Sequence, residues 1–172
     1  MKQGRIAYIS IGSNIGNRLE NCKKGISCLA EPEISIIKNR SAFYLTEPVD
    51  YKNQDEFVNI IVKIETRLDP FQLLDELKSI QSNAGRNHNN ERFGPRVLDL
   101  DIIMYDDFVI NTPELIIPHQ RMHKRRFVLK PICDIDPNVI HPVLKKDMKY
   151  LLDNLDKNKQ RVIKLKPEKT HV

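Results

Sequence analysis

The stretch RFGPRVLDLDI, residues 92–102, leads into an apolar run that continues to Tyr105 and carries two aspartates two positions apart. The aliphatic and β-branched residues of 97–105 predict a β-strand, in which Asp is uncommon. Side chains alternate between the two faces of a strand. The charged face is predicted to hold Val97, Asp99, Asp101 and Ile103, and the core face Leu98, Leu100, Ile102 and Met104.

The aspartate pair has two interpretations. Two carboxylates about 7 Å apart along a strand repel each other unless a cation lies beside them. Mg²⁺ takes one or two carboxylates and completes its shell with water and substrate phosphates, and pairs of such ions serve phosphoryl transfer. Alternatively, Asp99 and Asp101 pair with Arg or Lys on an exposed sheet face, and the strand alone leaves both interpretations open.

Basic residues flank the aspartates in two loops. The loop 85–96 contains Arg86, His88, Arg92 and Arg96, and the segment 118–127 contains His119, Arg121, His123, Arg125 and Arg126. Arginines bind phosphate oxygens bidentately, and metal carboxylates beside such arginines are the parts of a nucleoside triphosphate site. The loop GSNIGN (12–17) lacks the Gly-Lys-Ser/Thr ending of a P-loop, so arginines and metals are predicted to hold the nucleotide.

The order of elements predicts an α/β (α+β) fold with a ferredoxin-like βαββαβ core. Strands are predicted at 5–11, 34–46, 57–68 and 97–105, with helices from Asn17 to about Ala30 and from Pro70 to Gly85. The second helix has its periodic positions at Phe71, Leu74, Leu77, Ile80 and Gln81. Segments 121–135 and 148–155 predict extra C-terminal helices, and 157–172 a short edge strand followed by a charged tail from about 166.

Composition predicts one domain over residues 1–172, since a chain of this length with 40% hydrophobic residues can bury a core. The net charge of +5 favours an anionic partner, which is nucleic acid, an acidic membrane surface or a polyphosphate. The N-terminal apolar run is too short for a signal peptide or a membrane span, which predicts a cytoplasmic protein. Cys22, Cys28 and Cys133 form no CxxC pair and are interpreted as reduced packing residues.

Five blocks of the sequence resemble, in order, the 6-hydroxymethyl-7,8-dihydropterin pyrophosphokinase family of the folate pathway. They are IGSNIGNR (11–18), SAFYLTEP (41–48), FVN (57–59), GRNHNNERFGPRVLDLDI (85–102) and PHQRMHKRRFVLKP (118–131). The resemblance implies transfer of diphosphate from ATP to the hydroxymethyl oxygen of a reduced pterin, with two Mg²⁺ ions and release of AMP. It implies small-molecule substrates and no nucleic-acid or membrane partner.

The same resemblance assigns roles to individual residues. The catalytic group is Arg86, Arg96, Asp99 and Asp101, of which Asp99 and Asp101 hold the metals. The ATP-binding residues are Gln81, Arg86, His88, Phe93, Arg96, Ile102, Ile116, His119, Arg121 and Arg125. The pterin-binding residues are Thr46, Pro48, Val49, Phe57, Asn59 and Phe127. Many members have Glu, Arg and Trp where this chain has Gln81, His88 and Phe93.

An RNA-binding module is the alternative function, because such modules also combine a ferredoxin-like pattern with basic charge. Those modules carry exposed aromatic residues on their central strands. Here the corresponding strands are RIAYISI (5–11) and VLDLDIIMY (97–105), and the acidic face of the second would repel phosphate. The polar loops 47–56 and 85–95 are predicted instead to close over bound small molecules and exclude water.

Overall fold

A computed structural model of the chain describes residues 4–85 and 95–167. The strands are β1 (Arg5–Ser13), β2 (Ile36–Arg40), β3 (Tyr44–Thr46), β4 (Phe57–Thr66), β5 (Asp99–Tyr105), β6 (Ile110–Asn111), β7 (Ile116–Ile117) and β8 (Val162–Lys164). The helices are α1 (Arg18–Leu29), α2 (Pro70–Asn83), α3 (Arg126–Ile135) and α4 (Met148–Asp153), and a 3-10 helix spans Met122–Lys124. No helix in the described ranges is long and apolar enough to cross a membrane.

An antiparallel sheet in the order β5-β1-β4-β3-β8 organises the fold, with β2 pairing β4 beside β3. Helix α1 connects β1 to β2 and helix α2 connects β4 to β5, which is the ferredoxin-like order that the sequence predicts. The edge strand predicted near the C-terminus is also confirmed, because β8 pairs with β3. β6 and β7 form a separate two-stranded sheet.

The prediction of one continuous strand at 34–46 is wrong. Arg40 of β2 pairs with Val62 and Tyr44 of β3 pairs with Asn59, so three residues lie opposite two residues of β4. Ser41 occupies this interruption, where its hydroxyl accepts a hydrogen bond from the Ile61 N–H at 3.0 Å. A side-chain oxygen thus replaces a backbone acceptor, and the ladder shifts as it does at a β-bulge.

The predicted helix starts and stops are confirmed. The Asn17 side chain accepts from the Glu20 N–H at 3.2 Å, and Asp69 forms a capping box with Gln72 ahead of Pro70. Gly85, with a φ of 92°, follows the last turn of α2 in the left-handed region that glycine adopts readily.

Helices α1 and α2 cover one face of the sheet. The buried residues between them include Leu29 and Cys22 from α1 and Leu73 and Leu77 from α2, packed against the strand residues Ile9, Ile11, Ile60, Leu98, Leu100 and Ile102. Of the predicted helical face of α2, Leu77, Ile80 and Gln81 are buried, but the prediction is wrong for Phe71, which is 39% exposed, and it missed Leu73, which is fully buried. Cys28 is also exposed, so its predicted packing role is wrong.

A β-bulge in β5 changes the predicted alternation of side chains. Tyr8 pairs with Met104 and Ile9 pairs with Ile102, so Ile103 is an extra residue in β5. Ile103 and Met104 consequently both join the core cluster beneath α3, and the placement of Met104 on the face of Leu98 is wrong. The face that carries Asp99 and Asp101 is therefore polar at one end and apolar beyond the bulge.

Two tyrosines hold α3 on the apolar end of this face. The Tyr8 hydroxyl donates to Asp136 at 2.5 Å, and the Tyr44 hydroxyl donates to Asp134 at 2.7 Å. Burial and the neighbouring carboxylates raise the pKa of both tyrosines, so both stay protonated donors. The helix covers the apolar half of the face and leaves the polar half open.

The burial of α2 gives a stability prediction. Leu73→Ala is expected to lower the free energy of unfolding by about 2–5 kcal/mol, because it leaves a cavity among fully buried neighbours. Phe71→Ala, on the same helix but exposed, is expected to cost less than about 1 kcal/mol. Urea unfolding followed by circular dichroism measures both values, and equal losses would contradict the assignment of Leu73 to the core.

Candidate active site

The polar end of the sheet opens into a cavity of about 630 Å³. Its floor follows one row of the sheet, because Gly12 of β1 pairs with Asp99 on one side and with Asn59 on the other. A Cβ at Gly12 would lie 2.5 Å from the Asn59 Oδ1, so any larger residue here would displace the Asn59 amide. In the next row, Ser10 pairs with Asp101.

An ion pair and two hydrogen bonds hold Asp99 and Arg96 at the cavity. The Arg96 Nη1 lies 2.8 Å from the Asp99 Oδ1. Asn14 fixes the arginine backbone, because its Oδ1 accepts from the Arg96 N–H at 2.7 Å and its own N–H donates to the Arg96 carbonyl at 3.0 Å. This ion pair partly supports the alternative interpretation, in which Asp99 pairs with an arginine on the sheet. The Asp99 side chain nevertheless lines the open cavity.

Asn14 also reaches the loop 47–56, and the sequence analysis assigned it no role. Its Nδ2 donates to the Gln54 Oε1 at 2.9 Å and to the Asp55 carbonyl at 3.2 Å, while the residue is only 2% exposed. One buried amide therefore ties this loop to the backbone before Asp99. The sequence signal that could have identified Asn14 was its place in the resemblance block IGSNIGNR (11–18).

The segment 118–127 supplies the opposite wall. Arg121 and Arg125 line the cavity together with His119, as the sequence predicts for a phosphate site. The Asp50 carboxylate, which the sequence analysis missed, accepts from the Arg121 Nη1 at 2.8 Å and the Arg121 Nη2 at 3.0 Å. Its Oδ2 also lies 3.5 Å from the Arg125 Nη2.

His119 is held as a neutral ring. The backbone N–H of His119 donates to the Ile103 carbonyl at 2.8 Å, and the ring Nδ1 accepts from the backbone N–H of Arg121 at 3.2 Å. Burial, followed by the positive charges of Arg125 and Arg121, lowers the pKa of His119 to about 4. Since Nδ1 is the acceptor, the ring proton lies on Nε2, which is thus a hydrogen-bond donor.

A second group of predicted residues meets beside Asn59. The Asn59 Nδ2 donates to the Thr46 Oγ1 at 2.6 Å, and both residues are buried. Phe57 and Phe127 line the same part of the cavity, together with Pro48 and Val49 of the loop. The Arg125 guanidinium lies 5.5 Å from the centroid of the Phe127 ring. This end presents aromatic surface and one polar amide to the cavity.

Ile102 and Ile116 also line the cavity as the sequence predicts, together with Leu74, Leu100 and Leu115. The side chains of Leu100 and Ile102 are buried on the helix-covered face of the sheet, so these two residues border the cavity through the backbone of β5. Gln81 is not among the cavity-lining residues of the described chain; it is 3% exposed, and its Oε1 accepts from the Leu100 N–H at 3.1 Å. The predicted residues Arg86, His88 and Phe93 lie outside the described residues.

The C-terminal segment braces two walls of the cavity. The Glu47 N–H donates to the Arg161 carbonyl at 3.3 Å, the Arg161 N–H donates to the Glu47 Oε1 at 3.0 Å, and the Arg161 guanidinium pairs with Glu56. Gln160 accepts from the Arg126 N–H at 2.7 Å and donates to the Lys124 carbonyl at 2.8 Å. Both ends of the loop 47–56 and the turn that carries Arg125 are thus anchored.

The donor set suits a hard divalent cation that is bound jointly with phosphate. Among the described cavity-lining residues, five carboxylates outnumber three arginines, so a bound polyphosphate needs additional positive charge. The described residues form no cluster of three or more His, Cys, Asp or Glu side chains for a metal. The pair Asp99 and Asp101 fits Mg²⁺, which takes few protein carboxylates when phosphates complete its shell.

Comparison with known proteins decides the family. The family model described as 7,8-dihydro-6-hydroxymethylpterin-pyrophosphokinase (HPPK) matches residues 8–137. The chain belongs to this family. A relative from Haemophilus influenzae named 2-amino-4-hydroxy-6-hydroxymethyldihydropteridine pyrophosphokinase is 34% identical over 94% of this chain and 98% of its own length. The Bacillus subtilis protein of the same name is 41% identical over 76% of this chain and 77% of its own.

Other relatives within the HPPK family are longer proteins. The folic acid synthesis protein fol1 of Schizosaccharomyces pombe is 39% identical over 89% of this chain, which spans only 21% of that protein. A crystal structure of a Plasmodium falciparum HPPK-DHPS triple mutant matches with a TM-score of 0.73 at 18% identity, covering 88% of this chain and 44% of that one. This likeness supports the ferredoxin-like fold.

The environment of His119 predicts its titration. Its imidazole is expected to titrate near pH 4, below its ordinary value of 6.5, because burial and two arginines disfavour the charged ring. Between pH 4 and about 6.5, His119 is protonated in more of the unfolded molecules than of the folded ones. The free energy of unfolding therefore decreases as the pH falls through this range. Arg125→Gln is expected to raise the midpoint, and the exposed control Arg40→Gln to leave it unchanged. An NMR titration that gave 6.5 for the original protein would refute this environment.

Proposed function

We propose that this chain transfers diphosphate from ATP to the hydroxymethyl group of 6-hydroxymethyl-7,8-dihydropterin and releases AMP, as a step of folate biosynthesis. One observation carries the proposal: a single cavity joins the Asp99 and Asp101 pair and three arginines to the aromatic and amide group around Asn59. The names of the Haemophilus and Bacillus relatives support the same reaction.

The proposed ATP site uses the arginine wall and the backbone of Ile102 and Ile116. Arg96, Arg121 and Arg125 bind polyphosphate oxygens, and the adenine is read by the backbone of these two isoleucines. The neutral His119 donates a hydrogen bond from Nε2 to a phosphate oxygen. Arg86, His88, Phe93 and Gln81 remain predicted ATP residues. Gln81 acts through the backbone of Leu100, to which it is bonded.

The proposed pterin site lies around Asn59. The rings of Phe57 and Phe127 stack on the two faces of the flat substrate, and Asn59 and Thr46 bond its polar edge. Pro48 and Val49 close this end from the loop. The Asn59 amide already uses one Nδ2 hydrogen on Thr46, and its Oδ1 lies beside Gly12 of the cavity floor, where it is available as an acceptor for the pterin.

The reaction needs positioning more than covalent chemistry from the protein. The hydroxymethyl oxygen forms a bond to the β-phosphorus, the bond from that phosphorus to the α-phosphate oxygen breaks, and AMP leaves with the electron pair. The hydroxyl proton is released. Arg96, Arg121 and Arg125 balance negative charge on the transferred and leaving groups, and the closed loops exclude water as a competing acceptor.

Asp99 and Asp101 are proposed to hold two Mg²⁺ ions. When bound, the ions supply charge neutralisation on the phosphates and favour ionisation of the attacking hydroxyl. The excess of carboxylates over arginines among the described lining residues supports this assignment. In this proposal Asp99 binds metal while it keeps its ion pair with Arg96, and the Arg96 guanidinium orients the Asp99 carboxylate.

The RNA-binding alternative has no support from the comparisons. The open part of the face of β1 and β5 that such a module would use carries Ser10, Gly12, Asp99 and Asp101, and the one aromatic residue of β1 on this face, Tyr8, is buried beneath α3. A small-molecule partner set, a cytoplasmic location and one domain over 1–172 remain predictions of the sequence.

Product analysis tests the function. We expect incubation with ATP, Mg²⁺ and reduced hydroxymethylpterin to yield AMP and a pterin diphosphate in equal amounts on nucleotide chromatography. Asp101→Asn is expected to lower turnover by about a thousandfold, because a lost metal ligand removes several kcal/mol of charge stabilisation. Asp107→Asn, which changes a carboxylate of the turn that follows β5, serves as the matched control. Pterin-dependent ADP in place of AMP would show that the reaction assignment is wrong.

The pterin site has its own prediction. Asn59→Ala is expected to weaken pterin binding about 10- to 100-fold, because polar ring atoms lose a buried partner. Affinity for a non-hydrolysable ATP analogue should stay within about twofold, since the amide lies at the other end of the cavity. Calorimetry measures both, with Asn39→Ala on the exposed strand β2 as control. Equal losses for both ligands would instead indicate a structural role for Asn59.

A further inference from the structure

Asp50 forms ion pairs with two arginines of the cavity, Arg121 and Arg125. Both of its carboxylate oxygens accept from Arg121, at 2.8 and 3.0 Å, and one lies 3.5 Å from Arg125. The three side chains line the same cavity as Asp99 and Asp101. Asp50 belongs to the loop 47–56, whereas both arginines belong to the segment 118–127. The contact therefore joins two walls of the cavity.

The two arginines need a counter-charge. Arg125 is largely buried, and the nearby positive charge of Arg121 adds to burial in lowering the pKa of Arg125. Asp99 and Asp101 also face Arg125 and act in the opposite direction, as Asp50 does. Hydrogen bonding to Arg121 keeps the pKa of Asp50 below its ordinary value, so this carboxylate is ionised at neutral pH.

A carboxylate and a phosphate compete for such a group. The guanidinium of arginine presents two parallel N–H donors that fit the oxygens of either anion. Asp50 engages this fork of Arg121, and its negative charge lies where the polyphosphate of ATP is proposed to bind. A phosphate at the same donors would meet electrostatic repulsion from Asp50 as well as attraction from the arginines.

We propose that Asp50 sets the nucleotide affinity of the enzyme as an internal anion that the polyphosphate of ATP displaces from Arg121 and Arg125. The proposal rests on the proposed function and adds to it a residue that weakens the binding of phosphate-bearing ligands only. The apparent affinity then equals the intrinsic affinity multiplied by the fraction of free protein molecules in which Asp50 has released the arginines. This reduction applies only to ligands whose phosphates reach the arginines, so adenosine escapes it.

Calorimetry with Asp50→Asn tests this role. We expect the affinity for a non-hydrolysable ATP analogue with Mg²⁺ to rise about 3- to 10-fold, the range of a partly exposed ion pair that involves two arginines. Adenosine should bind both proteins equally. Asp55→Asn is the matched control, because it removes the same charge from an exposed position in the same loop. It should leave both affinities within about twofold of the original.

Two results of this experiment would contradict the proposal. Unchanged or weaker binding of the analogue to Asp50→Asn would overturn the proposal, the latter by showing that Asp50 positions Arg121 for phosphate. Asp50→Ala provides a second variant, and thermal unfolding of both checks that the fold is retained. If the variants still form AMP but bind the analogue as the original does, only the role of Asp50 fails. If the original protein neither binds the analogue nor forms AMP, the proposed function fails with it.

Discussion

The position of β1 between β5 and β4 is the constraint on which the site depends. Gly12 pairs with Asp99 on one side and Asn59 on the other, so these two side chains rise from strands separated by a single residue without a side chain. Strands lie about 4.8 Å apart, which puts the two Cα atoms about 10 Å from each other. The antiparallel ladders thus set the separation between the proposed metal ligands and the proposed pterin amide.

The bulge at Ile103 then determines where the cavity ends. It brings both Ile103 and Met104 beneath α3, which Tyr8 and Tyr44 hold in place through Asp136 and Asp134. The same face is left open around Asp99 and Asp101, where loops replace helices. Loops suit this position because their polar side chains can meet substrates while the sheet beneath them stays rigid.

Periodicity in the sequence was enough for the order of elements and the charged strand, because both are local properties of the chain. It missed the bulge in β5 and the break at Ser41, since each depends on pairing with another strand. Most of the described residues that the block resemblance singles out line one cavity, whereas Asn14 and Asp50 were overlooked. Their partners lie at least 40 and 71 residues away, respectively, and no spacing rule reveals a contact of that kind.

Anomalous scattering tests the central claim, which is that the β5 carboxylates and the arginine wall jointly bind metal and polyphosphate. Crystals would be grown with Mn²⁺, a non-hydrolysable ATP analogue and the reduced pterin. The account predicts manganese peaks in contact with Asp99 and Asp101 and with phosphate oxygens, beside Arg121 and Arg125. Nucleotide bound by the arginines with no manganese at either aspartate would contradict it.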